Sequence, residues 1–423
     1  MTCWVRKILP MTIEGVPMQR ESLFRISALL CATVISLIAT AGWSQQPTLT
    51  WLGTLGGIRS AAYSVSADGS VVVGWAYNAD GQWRAFRWTA DGGMQDLGAL
   101  RGNWSEAYSV SASGHVVVGM AYEGRWRAFR WTADGGMQDL GTLGGRNSWA
   151  YDVSADGSVV VGEAHDAAWY WRAFRWTADG GMQDLGTLGG RESQARGVSA
   201  DGSVVVGKAQ SADGSWRAFR WTAAGGMQDL GTLGGWSVAI DVSADGSVVI
   251  GEAYSTGLQW RAFRWTADGG MQDLGTLGSN TSTAYGVSAD GSVVVGAAQN
   301  AAWNWRAFRW TTAGGMEDLN TTYATLLTPD SSLTAAFAIS PDARYIVGVG
   351  FNAATARLEA FLLDTGFPQR GDVDRNGCVD DADLLRVLFA FGERGYRNED
   401  TNWDGGIDDA DLLIVLFNFG QGC

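Results

Sequence analysis

The sequence predicts an all-β array of repeats, followed by a small module with two short helices. Two observations lead to this fold class. Seven copies of a unit of about 45 residues fill most of the 423-residue chain. A different repeat, two aspartate-rich loops that begin at Asp372 and Asp400, occupies the last part of the chain. The protein is therefore expected to combine a repetitive β-domain with a separate C-terminal module.

Each unit contains four short strand-like runs separated by turn residues, and the copy from Ala150 to Gly190 shows them most clearly. The first run ends in Val-Ser and turns through Ala-Asp-Gly. The second is Val-Val-Val-Gly, the third is Arg-Ala-Phe-Arg-Trp, and the fourth is Gly-Met-Gln-Asp-Leu-Gly-Thr-Leu. Four strands in about 45 residues make one blade of a β-propeller, a twisted sheet that cannot bury both of its faces alone.

The two ends of the array are out of phase with each other. A lone fourth-run segment, Trp51 to Gly56, precedes the first copy, and the seventh copy stops after its third run at Phe361. The first strand can therefore complete the last sheet, which would remove exposed strand edges. We predict a seven-bladed β-propeller of four-stranded repeats over residues 48–366, closed by the N-terminal strand. A β-solenoid is the alternative fold.

Variation between the copies is concentrated in two of the four connections. The turns after the first and third runs barely change, and Asp-Gly is common in tight reversals. The connections after the second and fourth runs vary, and in an up-and-down sheet both emerge on the opposite face. Exposed aromatic rings often mark recognition and suit sugar stacking, although single rings could instead wedge between blades. The candidate ligand-face residues are Trp104, Trp149, Trp169, Tyr170, Trp236 and Trp303.

The third run alternates guanidinium and indole groups, a pattern that resembles a nucleic-acid stacking platform. Its recurrence in almost every copy, beside an aspartate such as Asp96 in the fourth run, instead predicts Arg–carboxylate and cation–π packing between strands. The net charge of -14 would also repel a phosphate backbone. We therefore predict no nucleic-acid partner.

Residues Asp372 to Asp383 match a 12-residue calcium loop. Such a loop has oxygen ligands at positions 1, 3, 5, 9 and 12, glycine at position 6 and a backbone carbonyl ligand at position 7. Asp400 to Asp411 repeats the pattern, and an apolar helix-like run follows each loop. Two Ca²⁺ ions are therefore predicted. The candidate ligands are Asp372, Asp374, Asn376, Cys378, Asp380 and Asp383 in the first loop, and Asp400, Asn402, Asp404, Gly406, Asp408 and Asp411 in the second.

The paired loops are similar to a type I dockerin, because position 12 is Asp rather than Glu and no full helix precedes the first loop. We assign this module to residues 372–423, after a linker over residues 367–371. The resemblance implies docking onto a cohesin-like protein, largely through loop positions 10 and 11. These are Asp381, Ala382, Asp409 and Ala410, and the identical pairs would permit two symmetry-related orientations. They differ from the Ser-Thr pair of some cellulosomal dockerins.

The repeat array resembles the HAF-repeat family of extracellular bacterial proteins. The resemblance lies in Ala-Phe-x-Trp followed by Gly-Gly-Met-x-Asp-Leu-Gly, with Arg in place of the His of the family's name. It spans roughly residues 51–361. Because the family has no established common activity, the resemblance implies location and architecture rather than a mechanism.

The N-terminal segment has the pattern of an export signal. Arg20 and Arg25 precede an apolar stretch, Ile26 to Ala41, that is too short to span a membrane comfortably and ends in small residues. We predict a signal peptide over residues 1–44 and a secreted protein, extracellular or on the cell surface, with no membrane span after its removal. Cys378 and Cys423 would then be the remaining cysteines, and in an exported module they predict a disulfide.

No catalytic constellation stands out in the sequence. The chain has two histidines, and it contains neither a Gly-x-Ser-x-Gly motif nor a zinc-binding pattern. The sequence therefore favours a secreted, non-catalytic binding or assembly protein whose array recognises a ligand such as a polysaccharide. Two alternatives stay open: a dockerin-bearing hydrolase of O-glycosyl bonds in polysaccharide catabolism, and an inert structural protein of the cell envelope.

Overall fold

The described part of the protein is built mainly from repeated four-stranded sheets. The computed structural model describes residues 46–423, so the predicted signal peptide lies outside the described residues. From Thr48 to Asp364 the chain forms antiparallel sheets in a propeller-like array. Five of the sheets are separate, whereas the first and last are joined into one eight-stranded sheet by a parallel bridge between Arg59 and Leu358.

The strands follow the four predicted runs in order. The inner strands, from the first run, are β2 (Gly56–Val65), β6 (Ser105–Val110), β10 (Gly144–Val153), β14 (Gly189–Val198), β18 (Gly234–Val242), β22 (Gly278–Val287) and β26 (Ser332–Ile339). The second strands are β3 (Val72–Asn78), β7 (Val117–Tyr122), β11 (Val159–Asp166), β15 (Val204–Ser211), β19 (Val248–Ser255), β23 (Val293–Asn300) and β27 (Tyr345–Asn352).

The outer half of each sheet comes from the last two runs. The third strands are β4 (Trp83–Thr89), β8 (Trp126–Thr132), β12 (Trp171–Thr177), β16 (Trp216–Thr222), β20 (Trp260–Thr266), β24 (Trp305–Thr311) and β28 (Arg357–Asp364). The fourth strands are β5 (Gly93–Asp96), β9 (Gly136–Asp139), β13 (Gly181–Asp184), β17 (Gly226–Asp229), β21 (Gly270–Asp273) and β25 (Gly315–Asp318). The N-terminal strand β1 (Thr48–Gly53) pairs antiparallel with β28 and so takes the outer position of the last sheet, as the phase of the repeats predicted.

Local chemistry explains the sharp turn between each inner strand and the next strand. In the third copy, the Asp156 carboxylate accepts hydrogen bonds from the Ser154 hydroxyl (2.6 Å) and the Ser158 amide (2.9 Å). Gly157 takes a positive φ of 76°, which glycine adopts without strain. The seven such turns, together with the turns after the third strands, form one face of the array, called here the turn face. The opposite face, which carries the variable connections, is called the loop face.

In six of the copies, a buried serine joins the sheet to the one before it. Ser148, at the loop-face end of its inner strand, donates to the Gly141 carbonyl (2.5 Å) and accepts from the Ala128 amide of the preceding sheet (3.0 Å). Both partner groups are backbone atoms that would otherwise be buried without a hydrogen bond. The same fully buried serine recurs in six copies, at Ser60, Ser105, Ser148, Ser193, Ser237 and Ser282.

Aromatic and aliphatic side chains fill the space between the sheets. The phenylalanine of each third strand is fully buried, and it packs among valines and alanines of its own and neighbouring sheets. The arginines that begin the third runs lie on the outside, where Arg84, Arg172 and Arg261 pair with fourth-strand aspartates at 3.0–3.1 Å. The predicted Arg–carboxylate packing between strands is therefore confirmed in these copies.

The chain after the array forms a small helical module, and the two belong to one compact unit. Helix α1 (Leu319–Thr322) and a 3₁₀ turn (Ala324–Leu326) lie between β25 and β26, whereas α2 (Asp381–Ala390) and α3 (Asp409–Phe417) belong to the module. Its core contains Val379, Val387 and Val415. Within residues 46–423, no helix is both long and apolar enough to cross a membrane.

The serine junction gives a direct test of how the two ends of the array are held. Ser60 donates to the Gly53 carbonyl (2.5 Å) and accepts from the Ala360 amide (2.8 Å), so it repeats the Ser148 junction between the first and last sheets. We expect S60A and S148A each to lower the free energy of unfolding by about 1–3 kcal/mol, because each leaves buried backbone groups unpaired. Urea unfolding measures this, with the exposed Thr256→Ala as the control. If S60A were as stable as the unsubstituted protein while S148A was destabilised, the junction between the two chain ends would contribute little to the free energy of unfolding.

Candidate functional site

Three of the six candidate ligand-face residues project from the loop face. Trp169, Trp236 and Trp303 are 57%, 54% and 62% exposed. Large apolar rings exposed to this extent are uncommon on a protein surface, and they are typical of recognition sites. These three indoles are therefore the best-placed aromatic contacts for a ligand on this face.

Two of these tryptophans are held in an unfavourable backbone conformation. Trp169 and Trp303 have positive φ values of 70° and 62°, at a turn position that Gly81, Gly214 and Leu258 occupy in other copies. In the first case, the Asp166 carboxylate fixes the turn by accepting from the Ala168 and Tyr170 amides. A bulky residue rarely adopts this conformation without a compensating benefit, and such positions cluster at functional sites.

The other three candidate aromatic residues pack against their neighbours. Trp104 is 36% exposed and stacks on Trp83 with ring centroids 5.4 Å apart. Trp149 stacks on Trp171 at 4.8 Å, and its indole nitrogen is buried. The Tyr170 hydroxyl accepts a hydrogen bond from Arg191 (3.1 Å). These residues support the loop face and offer less free ring surface than the first three.

The first aspartate-rich loop gathers its predicted ligands around one point. Single carboxylate oxygens of Asp372, Asp374 and Asp383 lie within 4.8 Å of one another. Asp383 is fully buried and accepts from the Val373 and Asp374 amides. Burial and the nearby carboxylates raise the pKa of Asp372 to about 6. Crowded carboxylates of this kind, on a loop held by its own amides, have the donor chemistry that Ca²⁺ prefers.

The second loop repeats the backbone hydrogen bonds of the first, with the Asp and Asn of positions 3 and 5 exchanged. Asp400 and Asp411 are fully buried, and Asp411 accepts from the Asn402 and Asp408 amides. Burial and the neighbouring Asp411 raise the pKa of Asp400 to about 7. Asn402 and Asp404 fold back over the loop, since the Asn402 side-chain oxygen accepts from the Asp404 amide.

The remaining predicted loop ligands link the loops to the helices. Asp380 and Asp408 occupy position 9 and cap α2 and α3 through the Ala382 and Ala410 amides. Asn376 lies at position 5 of the first loop, where its side-chain oxygen accepts from the Cys378 amide (2.8 Å). At position 7, Cys378 and Gly406 are the residues whose carbonyl oxygens were predicted as ligands. Cys378 is joined to Cys423 by a disulfide, with Cα atoms 4.6 Å apart.

Both loop-and-helix units present the same apolar surface to solvent. Helix α2 exposes Leu385, Leu388 and Phe389, and α3 exposes the residues 28 positions later, Leu413, Leu416 and Phe417. The two phenylalanines are 82% and 81% exposed. The predicted partner-binding residues Asp381, Ala382, Asp409 and Ala410 are also exposed, at the start of the same helices. The module thus carries a duplicated, largely apolar surface that the array leaves uncovered.

Position 4 of each predicted calcium loop contacts the turn face of the array. In the first loop, the Arg375 guanidinium pairs with Asp290 at 2.5 Å. In the second, Trp403 is buried and lines the central cavity together with turn residues such as Ala155 and Ala200. The module therefore contacts the turn face of the array through its loops, and the exposed surfaces of α2 and α3 remain uncovered.

The central cavity lies where the inner strands meet, and it has a volume of about 400 Å³. Two carboxyl groups line it, from Asp152 on β10 and Asp241 on β18. Burial raises the pKa of Asp152 to about 6. Burial, together with the charge of Asp152, raises the pKa of Asp241 to about 7.

Sequence reasoning did not single out Asp152, Asp241 or Trp403. A signal was nevertheless present, because the residue before the Val-Ser pair changes from copy to copy within an otherwise constant run. It is Ser64, Ser109, Asp152, Gly197, Asp241, Gly286 and Ala338 in turn. Variation is therefore found on the central axis as well as on the loop face.

The buried carboxyls should make stability depend on pH. In the unfolded chain an aspartate has a pKa near 3.8, and the folded-state value of Asp241 is higher, so the folded state keeps its proton to a higher pH. The contribution of Asp241 to the free energy of unfolding should fall as the pH rises from about 4 to about 7, by at most about 4 kcal/mol. We expect Asp241→Ser, the residue found at Ser64, to flatten this part of the profile. Urea unfolding of both proteins in calcium at several pH values measures the difference, and parallel profiles would contradict the prediction.

No family model matches the chain, and no curated protein matches it. Among solved structures, it is similar to TolB from Acinetobacter baumannii, with a TM-score of 0.43, 15% identity and coverage of 62% of this chain and 63% of that one. It is also similar to the β-propeller domain of the Trilobed protease from Pyrococcus furiosus, with a TM-score of 0.45, 11% identity and coverage of 60% and 82%. A puromycin hydrolase gives a TM-score of 0.44 at 15% identity, with coverage of 73% and 54%. The chain thus spans 63% of the length of the Acinetobacter TolB.

Proposed function

We propose that the protein is a secreted, non-catalytic binding and assembly protein. One observation carries this proposal: the protein has two exposed apolar surfaces, the tryptophans of the loop face and the duplicated surface on α2 and α3. The turn face, which lies on the other side of the array from the loop face, holds the module. A ligand on the loop face and a protein on the module could therefore be bound at the same time.

The array is proposed to be a closed propeller of seven blades. The pairing of β1 with β28 and the Ser60 junction between the first and last sheets support closure. Contacts between consecutive inner strands, including those between β26 and β2, support the blade number. A closed ring leaves only short, protected strand edges and would hold the loop face as a rigid platform.

The helical module is proposed to bind two Ca²⁺ ions and to dock onto a cohesin-like protein. The residues fit calcium, since each loop supplies four carboxylates and an amide oxygen around a tight turn at Gly377 or Gly405. The ion would neutralise the crowded carboxylates and order the helix that follows. The repeated exposed surface on α2 and α3 supports docking in either of two orientations, because each helix offers two leucines and a phenylalanine at matching positions, although α2 has Arg386 where α3 has Ile414.

The ligand of the loop face is proposed to be a polysaccharide. Exposed indoles suit the apolar faces of sugar rings, and polar side chains such as His165 and Arg146 lie beside Trp169. The protein would then hold a polysaccharide at one face and a cohesin-like partner at the other, which would bring the two together outside the cell.

Calcium binding can be tested with a matched pair of variants. We expect calorimetric titration of the mature protein to give two bound Ca²⁺ ions, and D383A and D411A each to remove one, because both replace a buried ligand at position 12. Asp381→Ala changes an exposed carboxylate at position 10 and should keep both ions. Unchanged helicity and thermal stability in a chelator would contradict the calcium assignment.

The recognition face can be tested by retention on insoluble polysaccharides. We expect W169A/W236A/W303A to lose most of the retention, since each substitution removes an exposed ring available for stacking. Ile58→Ala, at the start of β2 and 73% exposed, is the control. The release of reducing ends from the same panel would instead identify a hydrolase, whereas equal retention of the triple variant would exclude these rings from binding.

A further inference from the structure

The central cavity has the size and lining of a small-molecule site. Its volume of about 400 Å³ falls within the range of roughly 300–1,000 Å³ that is common for such sites. Inner-strand valines, including Val65, Val110 and Val153, form its wall, and turn residues such as Ala112 surround its mouth on the turn face. Trp403 of the helical module lies at that mouth.

A layer of aromatic side chains also lines the cavity. On each inner strand it is one position further from the turn face than the position of Asp152 and Asp241. It contains Tyr63, Tyr108, Tyr151, Tyr285 and Phe337. The rings contact one another around the axis, with centroids 5.2–5.5 Å apart from Tyr285 through Phe337, Tyr63 and Tyr108 to Tyr151. Aromatic faces carry partial negative charge and attract cations.

The layer already holds one cationic group. The Arg196 guanidinium, at the corresponding position of β14, lies 4.3 Å from the centroid of the Tyr151 ring. Its Nε atom is buried and has no hydrogen-bond partner. The charge of Arg196 also opposes the rise in pKa that burial gives Glu163 and Glu252, so the guanidinium combines a ring contact with nearby carboxyls.

The two carboxyl groups leave the cavity with net negative charge. Asp152 accepts from the Ser109 hydroxyl (2.6 Å) and the Val198 amide (2.9 Å), and Asp241 accepts from the Val242 and Val287 amides. These groups are neutral donors, so they hold the carboxyls in place without cancelling their charge. Arg196 is the charged side chain of opposite sign among the residues described around the cavity. When both carboxyls are ionised, one negative charge therefore remains.

We propose that the central cavity binds one small organic cation, an alkylammonium ion, between the Asp152 and Asp241 carboxylates and the aromatic layer. The carboxylates supply the charge, and the rings supply the polarisable surface that such ions prefer over water. Trp403 lines the cavity at its turn-face end, so its replacement by a smaller residue should ease exchange of the ion. The proposal is independent of the polysaccharide surface on the opposite face.

Choline and its uncharged isostere 3,3-dimethylbutan-1-ol test the proposal in the full mature protein at pH 8. We expect calorimetry or ligand-observed NMR to show one site for choline, with at least about tenfold weaker binding of the alcohol, a difference of about 1.4 kcal/mol. Equal binding of the two compounds, or no choline binding in the tens of millimolar range, would overturn the proposal. This comparison needs no variant and so does not depend on the folding of one.

Two variants then locate the site. Asp152→Ser with Asp241→Ser installs the residue that Ser64 and Ser109 provide in other copies, and it should weaken choline binding about tenfold or more. Trp403→Ala should speed exchange, seen in the width of the choline N-methyl NMR signal, while W303A on the loop face should leave it unchanged. Unaltered affinity in the folded double serine variant, or unaltered exchange in W403A, would show that choline binds elsewhere and would overturn the proposal.

Discussion

The architecture depends on one buried hydroxyl group at each of six junctions between sheets. A serine on the inner strand satisfies a carbonyl of the connecting segment and an amide of the preceding sheet at the same time, as Ser148 does with Gly141 and Ala128. Its small size lets the two sheets approach closely enough for phenylalanines such as Phe129 and Phe174 to be completely buried between them. A larger residue would separate the sheets, and an apolar one would leave two backbone groups without partners.

A second set of contacts, on the turn face, links the sheets close to the axis. The Ala67 amide donates to the Ala112 carbonyl, and equivalent bonds of 2.9–3.1 Å continue from turn to turn until Ala289 donates to Pro341. Proline has no amide hydrogen, so the series ends there. The resulting surface is nearly uniform, and it is the surface on which Arg375 and Trp403 of the helical module rest. Turn chemistry explains why these turns barely change between copies. Their uniform surface is also compatible with contact between the turn face and the helical module.

Packing also determines where the inner strands can carry acidic side chains. Asp152 and Asp241 are separated by the copy that carries Gly197, and a Cβ atom there would lie 2.9 Å from the Ile240 carbonyl oxygen and 3.0 Å from Asp241 Cα. Gly286, in the copy after Asp241, is similarly close to Ala338. The carboxyls therefore alternate with glycines, and each aspartate reaches across to an amide of the next sheet. This alternation places two negative charges on the axis in an otherwise repetitive array.

The sequence by itself determined the features that depend on neighbours along the chain. The four strands of each repeat, the Ser-Ala-Asp-Gly-Ser turns, the pairing of Arg84 with Asp96 and the donor pattern of the two aspartate-rich loops all follow from local spacing. Only the tertiary structure decided which tryptophan rings are free to contact a ligand. Trp104 stacks on Trp83 of the preceding sheet, whereas Trp236 is 54% exposed. It also decided that Asp152, Asp241 and Trp403 share one cavity. Asp152 and Asp241 are far apart in the chain, and they share the cavity because the inner strands converge on a common axis. Trp403 reaches the same cavity because the helical module contacts the turn face, and no local pattern reveals either arrangement.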